Sequence, residues 1–225
     1  MAQQTAYTGD VAPGGPTDTR ELEHLVIRKA AVSEMSNNAY LLTCRATGEQ
    51  LLIDAADDPA RLTALIRQGT GSLEHIVTTH QHWDHVRALS DLVDAFHPRT
   101  YAGRDDAEAL PVRPDVRLAQ GDRITVGQCD LDVIHLRGHT PGSVALAYSD
   151  PAGHTHLFTG DSLFPGGVGA TTRYEYQSFD SLIEDVSVRL FDVYGDDTWV
   201  YPGHGGDTTL GAERPHLADW RERGW

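Results

Sequence analysis

Beyond a polar N-terminal stretch, apolar residues come in short runs broken by Gly, Pro, Asp and Asn, a rhythm of strands more than of long helices. Residues 22–32, 39–44 and 50–55 read as successive strands. The last of them, with Leu51, Leu52 and Ile53 in succession, reads as buried on both faces. Residues 75–79 and 99–102 make two more short strands, and residues 124–136 alternate. Residues 144–148 and 155–159 flank the turn Asp150-Pro151-Ala152-Gly153, and 199–201 is a last strand. Helical spacing lies between these runs. Asp57-Asp58-Pro59 offers a cap and a first-turn proline to a helix with the stripe Leu62, Leu65 and Ile66. Residues 89–96 form a second helix. Ser181 with Glu184 reads as the capping box of a third, striped by Leu182, Val186, Leu190 and Tyr194, and a short polar helix covers 213–221. Residues 105–117 carry too many prolines and charges to assign. Periodicity alone fixes an α/β mixture. Strands in two groups with helices outside suggest a four-layer αβ/βα sandwich, one domain over residues 21–225 behind a flexible Gly/Pro/Thr/Gln tail, residues 1–20.

Composition narrows the function classes. A 40% hydrophobic and 23% charged chain of 225 residues is ordinary for one soluble domain. The net charge of −15, without any basic cluster, argues against a nucleic-acid partner. No apolar run approaches the roughly 20 residues of a membrane span. The start of the chain lacks the basic and apolar regions of an export signal, so a cytoplasmic location is expected. Cys44 and Cys129 are too few for a disulfide framework and read as reduced thiols.

The unusual polar residues sit where strands end. The strand at 75–79 delivers the chain into His80-Gln81-His82-Trp83-Asp84-His85. Gly138-His139-Thr140-Pro141-Gly142-Ser143 follows the alternating run, Gly160-Asp161-Ser162 the strand at 155–159, and Pro202-Gly203-His204-Gly205 the last strand. Glycine and proline beside each polar residue permit tight turns and close backbone approach, the layout of a site assembled from loops at a sheet rim. Imidazole nitrogen and carboxylate oxygen are the donors that zinc and its first-row neighbours bind. The other histidines, His24, His75, His97, His135, His154, His156 and His216, read as surface or hydrogen-bonded groups. Thr140, Ser143 and Ser162 suit either turn formation or orientation of neighbouring imidazoles, and Trp83 suits packing. Gly166-Gly167-Val168-Gly169 lacks the lysine and following helix of a phosphate loop.

An HxHxDH string followed in order by GHTPGS, TGD and PGH turns resembles the metallo-β-lactamase-fold hydrolases over residues 22–206, which implies their sandwich fold. The resemblance further implies that His80, His82 and His139 bind one metal and Asp84, His85 and His204 a second, with Asp161 bridging. The implied cofactors are two divalent ions, zinc first, with iron or manganese as alternatives. Such a pair activates a hydroxide that attacks a small-molecule substrate, and Asp84 would orient it and assist proton transfer.

Aspartate rather than cysteine at position 161 looks like the thioesterase and lactonase branches. The run from Thr159 to Phe164 into Gly166-Gly167-Val168-Gly169 is most similar to glyoxalase II, a hydrolase of hydroxyacyl-glutathione thioesters. Two features depart from that pattern. About twenty residues follow His204, too few for the helical glutathione-binding domain of the longer glyoxalases, and Ala170-Thr171-Thr172-Arg173 replaces the usual Gly-Arg continuation. Arg173 and Tyr174 become candidates for substrate contact. The alternatives are a lactone or other ester hydrolase, a mononuclear-iron persulfide dioxygenase, a nuclease disfavoured by the charge, and a metal-binding protein without catalysis.

Overall fold

Near-continuous apolar runs demand cover on both faces, and the fold supplies it twice. The structure, a computed structural model, describes residues 7–224. Strands β1 (Asp18–Glu21), β2 (Leu25–Val32), β3 (Asn37–Cys44) and β4 (Gln50–Ile53) form an antiparallel meander. Helix α1 (Pro59–Gln68) crosses over to β5 (His75–Thr78), and α2 (Leu89–Phe96) to β6 (Arg99–Gly103), which pairs with β7 (Val116–Leu118). From β4 to β7 the pairing is parallel, and the seven strands lie in chain order. A second sheet begins with β8 (Arg123–Val126), β9 (Cys129–His135), β10 (Val144–Ser149) and β11 (Thr155–Gly160). A small hairpin, β12 (Leu163–Phe164) with β13 (Gly167–Val168), precedes α3 (Phe179–Val186). The chain returns to the sheet as β14 (Trp199–Pro202), parallel to β11, and β15 (Thr208–Thr209), then closes with α4 (Leu210–Glu213) and α5 (Leu217–Arg223).

Three apolar layers show why this is a four-layer sandwich. Leu42, Leu51, Val133, Leu146 and Phe158 fill the space between the sheets. Leu41, Leu52 and Ile76 turn outward onto Leu62, Leu65 and Leu89, and Leu157 and Val200 turn onto Leu182, Val186 and Trp220. Each fully buried leucine contributes roughly 1.5–3 kcal/mol. The stability therefore lies in these layers and leaves the loops at the rim free to carry chemistry.

Asp58 caps α1 through Arg61 N as its sequence predicts, but α3 begins earlier than the Ser181 box suggests. Its cap is Ser178, whose hydroxyl accepts from Ser181 N at 3.2 Å, because the preceding loop reaches the sheet through Ser178 N→Gly138 O. The polar C-terminal helix is two short helices, and it buries Trp220 completely.

The expected flexible tail needs correction over the part that can be described; residues 1–6 lie outside the described residues. From Tyr7 onward the arm is docked. Pro13 bridges Ala31, β1 pairs with β2, and the Tyr7 hydroxyl donates to Asp207 Oδ2 at 2.5 Å. The cause is Lys29, fully buried on β2, whose ammonium donates to Gly9 O and Asp207 Oδ1 at 2.6 Å each and to Gly205 O at 2.7 Å. A buried charge needs such partners, and the arm provides one. Among the described residues no helix is long and apolar enough to cross a membrane.

Candidate metal centre

In each sheet a parallel strand pair, β4/β5 in the first and β11/β14 in the second, delivers its C-terminal ends to one rim. The rim is tied across the two sheets by Val144 N→Thr79 O at 2.9 Å and by the bridge between Asn37 and His204. Past β5 the chain extends through His80 and His82. It then tightens into a 3₁₀ turn, Trp83–His85, that returns Asp84 and His85 to the interior. The loops after β9, β11 and β14 place His139, Asp161 and His204 opposite them. Gly203 is required at this crossing, since a Cβ there would lie 2.1 Å from Asp161 Oδ1 and 2.9 Å from His85 Cε1.

The structure brings all seven residues expected from sequence into one cluster. His80, His82 and His139 offer donor atoms within 4.8 Å of one another, and Asp84, His85 and His204 do the same. Asp161 stands between the trios. Its Oδ1 is 3.4 Å from His85 Nε2, and its Oδ2 is 3.6 Å from His139 Nε2 and 3.4 Å from His204 Nε2. These spacings exceed those of charge-assisted hydrogen bonds and suit separate donors around common centres.

The donor set fits divalent cations on the structure's own terms. His80 Nε2, His139 Nε2 and Asp161 Oδ1 are buried without a hydrogen-bond partner. Each such atom costs on the order of 1–3 kcal/mol, which a shared cation removes. The far side of each ring has a polar partner. Thr79 Oγ1 donates to Asp54 Oδ2 at 2.8 Å and accepts from His80 Nδ1 at 3.0 Å. His85 Nδ1 donates to Asp54 Oδ2 at 2.9 Å, His139 Nδ1 to Ala170 O and His204 Nδ1 to Met35 O at 2.8 Å each. His82 Nε2 meets the Tyr176 hydroxyl at 3.0 Å, leaving Nδ1 for the site. Imidazoles anchored this way by carboxylate, carbonyl or hydroxyl are the pattern of metal ligands.

Electrostatics separate the trios. Burial first, then neighbouring imidazoles, push His80 far down and His82 down to about 4; burial likewise lowers His139. Burial also opposes charge on His85 and His204, but Asp161 and neighbouring carboxylates win, holding His85 well up and His204 up to about 9. Asp84 and Asp161 stay far below the ordinary carboxylate range despite burial, through His85 and His204. The first trio thus presents neutral lone pairs, whereas a cation binding at the second would displace protons.

Three supporting residues escaped the sequence reading. Asp54, in left-handed backbone (φ 59°) just past β4, serves Thr79 and His85. Its signal was a carboxylate ending the apolar run at Ile53. Asn37 reaches Asp84 from the start of β3. Asp106 lies in the unassigned segment, fully buried, and accepts from Gln81 N at 2.9 Å and from Thr140 Oγ1 and Gly142 N at 2.6 Å each. It therefore clamps the His80–His82 loop to the His139 loop. Asp106→Ala leaves the Gln81 and Gly142 N–H groups unpaired and costs Thr140 one of its two partners. It is expected to lower stability by about 2–4 kcal/mol and to weaken metal binding at the first trio about 10–100-fold, read by denaturant unfolding and zinc titration. Thr140 and Ser143 build that turn and do not orient an imidazole, and Ser162 Oγ is buried without a partner. Trp83 does not pack into the core: it is 56% exposed, with Arg87 over its ring at 4.0 Å. His156 is buried, bonded to the Tyr201 hydroxyl at 2.8 Å and remote from the site loops.

Above the donors lies a cavity of about 480 Å³, lined among others by Met35, Trp83, Phe164, Val168, Arg173 and Tyr174. The β12/β13 hairpin forms one wall. Tyr174 lines another, backed by Tyr176, which stacks on it at 5.2 Å beside His82.

An αβ/βα sandwich with a histidine–aspartate cluster at one rim defines a class of metal-binding folds whose site is made by loops. The profile of the Metallo-beta-lactamase superfamily matches residues 32–213, and the chain belongs to that superfamily. Within it the chain is similar in sequence to hydroxyacylglutathione hydrolases. It is 33% identical over 170 residues to a hydroxyacylglutathione hydrolase of Ruegeria pomeroyi, covering 75% of this chain and 62% of that one. The chain spans between half and two thirds of the curated relatives it matches. Among solved structures it is similar to ETHE1 from Myxococcus xanthus, with TM-score 0.75 and 28% identity over 85% of this chain and 82% of that one. It is also similar to TTHA1623 in a di-iron-bound form, with TM-score 0.67 and 34% identity over 83% of this chain and 96% of that one.

Proposed function

We propose that this protein hydrolyses a small thioester at a two-metal site, with His80, His82 and His139 holding one ion, Asp84, His85 and His204 the other, and Asp161 shared. The observation that carries the reading is the position of Asp161, whose two carboxylate oxygens lie 3.4–3.6 Å from imidazole nitrogens of both trios. The relatives named hydroxyacylglutathione hydrolase support a thioester as the substrate class. Divalent ions, zinc in the first instance, would supply Lewis-acid polarisation of the acyl carbonyl and a nucleophilic hydroxide at neutral pH.

The chain's own residues do the rest. Asp84, ionised and pinned by Asn37 Nδ2 at 3.0 Å, lines the cavity, where its carboxylate accepts a proton or orients the attacking oxygen. Asp54 and Asp106 hold the imidazoles and loops in place, so little reorganisation accompanies the reaction. Phe164, Val168, Met35 and Trp83 exclude water around the acyl group, and Arg173, the lone Lys/Arg side chain in the cavity lining, offers a contact for an anionic substrate group.

The test is metal analysis of purified protein together with a panel of thioesters, lactones and a chromogenic β-lactam. The expected result is two metals per chain and turnover of thioesters above the other classes. Chelation should abolish that turnover and zinc should restore it. The second reading is the mononuclear-iron persulfide dioxygenase that the sequence left as an alternative. One iron per chain with oxygen uptake on a persulfide, and no hydrolysis, would establish it in place of the first.

A further inference from the structure

The two donor trios are built by different parts of the chain. His80, His82 and His139 are set by Thr79, Tyr176, Ala170 and the Asp106 clamp. The second trio is framed instead by the end of the β2/β3 hairpin, residues 33–38. His204 Nδ1 donates to Met35 O, Asn38 N donates to Gly203 O at 2.7 Å, and Asn38 Nδ2 donates to Pro202 O and Gly205 O at 2.9 Å each. Asp54 touches both halves of the site, through Thr79 and His85.

At the centre of this frame stands Asn37, fully buried. Its Nδ2 donates to Asp84 O at 3.1 Å and to Asp84 Oδ2 at 3.0 Å, and lies 3.5 Å from both His85 Nε2 and His204 Nε2. One amide nitrogen thus faces the donor atom of every member of the second trio, and none of the first. Its orientation is imposed from behind. Asn37 Oδ1 accepts the Ser33 hydroxyl at 2.5 Å, and Ser33 sits in left-handed backbone (φ 60°), a conformation that a serine adopts only where its surroundings hold it. With the carbonyl end occupied, the N–H₂ end must point at Asp84.

We propose that Asn37, oriented by Ser33, is the positioning residue of the second metal site, fixing the Asp84 carboxylate so that this site's affinity is set separately from that of the first. The inference rests on the two-metal reading above. A hydrogen bond to a ligating carboxylate limits its rotation and keeps one oxygen aimed at the ion, and the loss of such a partner weakens metal binding about 10–100-fold. Asp84 retains no other side-chain hydrogen bond from outside the donor cluster among the described residues, so Asn37 has no understudy.

The experiment is titration of the metal-stripped full chain with Zn²⁺ by calorimetry, repeated with Co²⁺ so that the visible spectrum identifies which site fills. Wild type should show two steps. Asn37→Leu, which keeps the volume and removes the amide, should weaken the second step tenfold or more, leave the first within twofold, and change the Co²⁺ spectrum of the second step alone. Ser33→Ala keeps Asn37 and frees its orientation, so it should weaken the same step about threefold; it also decides the matter if Asn37→Leu fails to fold. Equal weakening of both steps, as a general loosening would give, or no change in either, overturns the inference. A wild-type chain that takes up a single metal or none defeats the two-metal reading itself, and the inference with it.

Discussion

Asp161→Ala is expected to strip both metals and to lower thioester turnover about 10³-fold or more. The carboxylate lies within 3.6 Å of imidazole nitrogens from both trios, so neither position would keep a full donor set without it. Lewis-acid assistance is worth several kcal/mol, and each ~1.4 kcal/mol is tenfold in rate, which gives the magnitude. The loss should come without unfolding. Asp161 lies at the rim, outside the three apolar layers, and circular dichroism of the variant should match wild type. Elemental analysis makes the decision. A variant that retains both metals shows that Asp161 does not bridge, and one that retains a single metal assigns the carboxylate to the other position alone.

The order of strands and the place of the site were legible because two physical signals coincide. Runs such as Leu51-Leu52-Ile53 can be buried only between two layers, and histidines and aspartates set among glycines at strand ends have no role in a core. The parts that stayed hidden depend on contacts distant in sequence. Asp106 lies in a segment without periodicity, and its value comes from meeting Gly142, 36 positions away. Asn37 looks like any turn residue before a strand until Asp84, 47 positions on, folds against it. Trp83 was expected to pack, yet the 3₁₀ turn that brings Asp84 and His85 inward forces its side chain out into the cavity mouth. The docked arm was missed for a similar reason: Lys29 reads as the polar position of an alternating strand, and the partners that allow its burial lie at Gly9 and Asp207.

That lysine supports the second large effect. Lys29→Met is expected to destabilise the protein by about 3–5 kcal/mol, because it leaves Asp207 buried without its counter-charge. For a domain of this size that corresponds to a fall in Tm of roughly 6–20 °C, measured by calorimetry on the metal-stripped chain. Burial is the leading influence on both partners, lowering Lys29 and raising Asp207 even though each favours the other's charge. The pair is therefore held against a solvation cost, and an apolar pair of similar volume should be tolerated. Lys29→Met with Asp207→Leu is accordingly expected to recover more than half of the lost stability. Recovery of stability should not restore placement. The ammonium also grips Gly205 O, one residue past His204, and no methionine can do that. The double variant should unfold well above the temperature of Lys29→Met and still bind the second metal more weakly than wild type. If it regains both, the buried charge serves only to fill space. If it regains neither, the Tyr7–Asp207 contact that docks the N-terminal arm carries the stability instead.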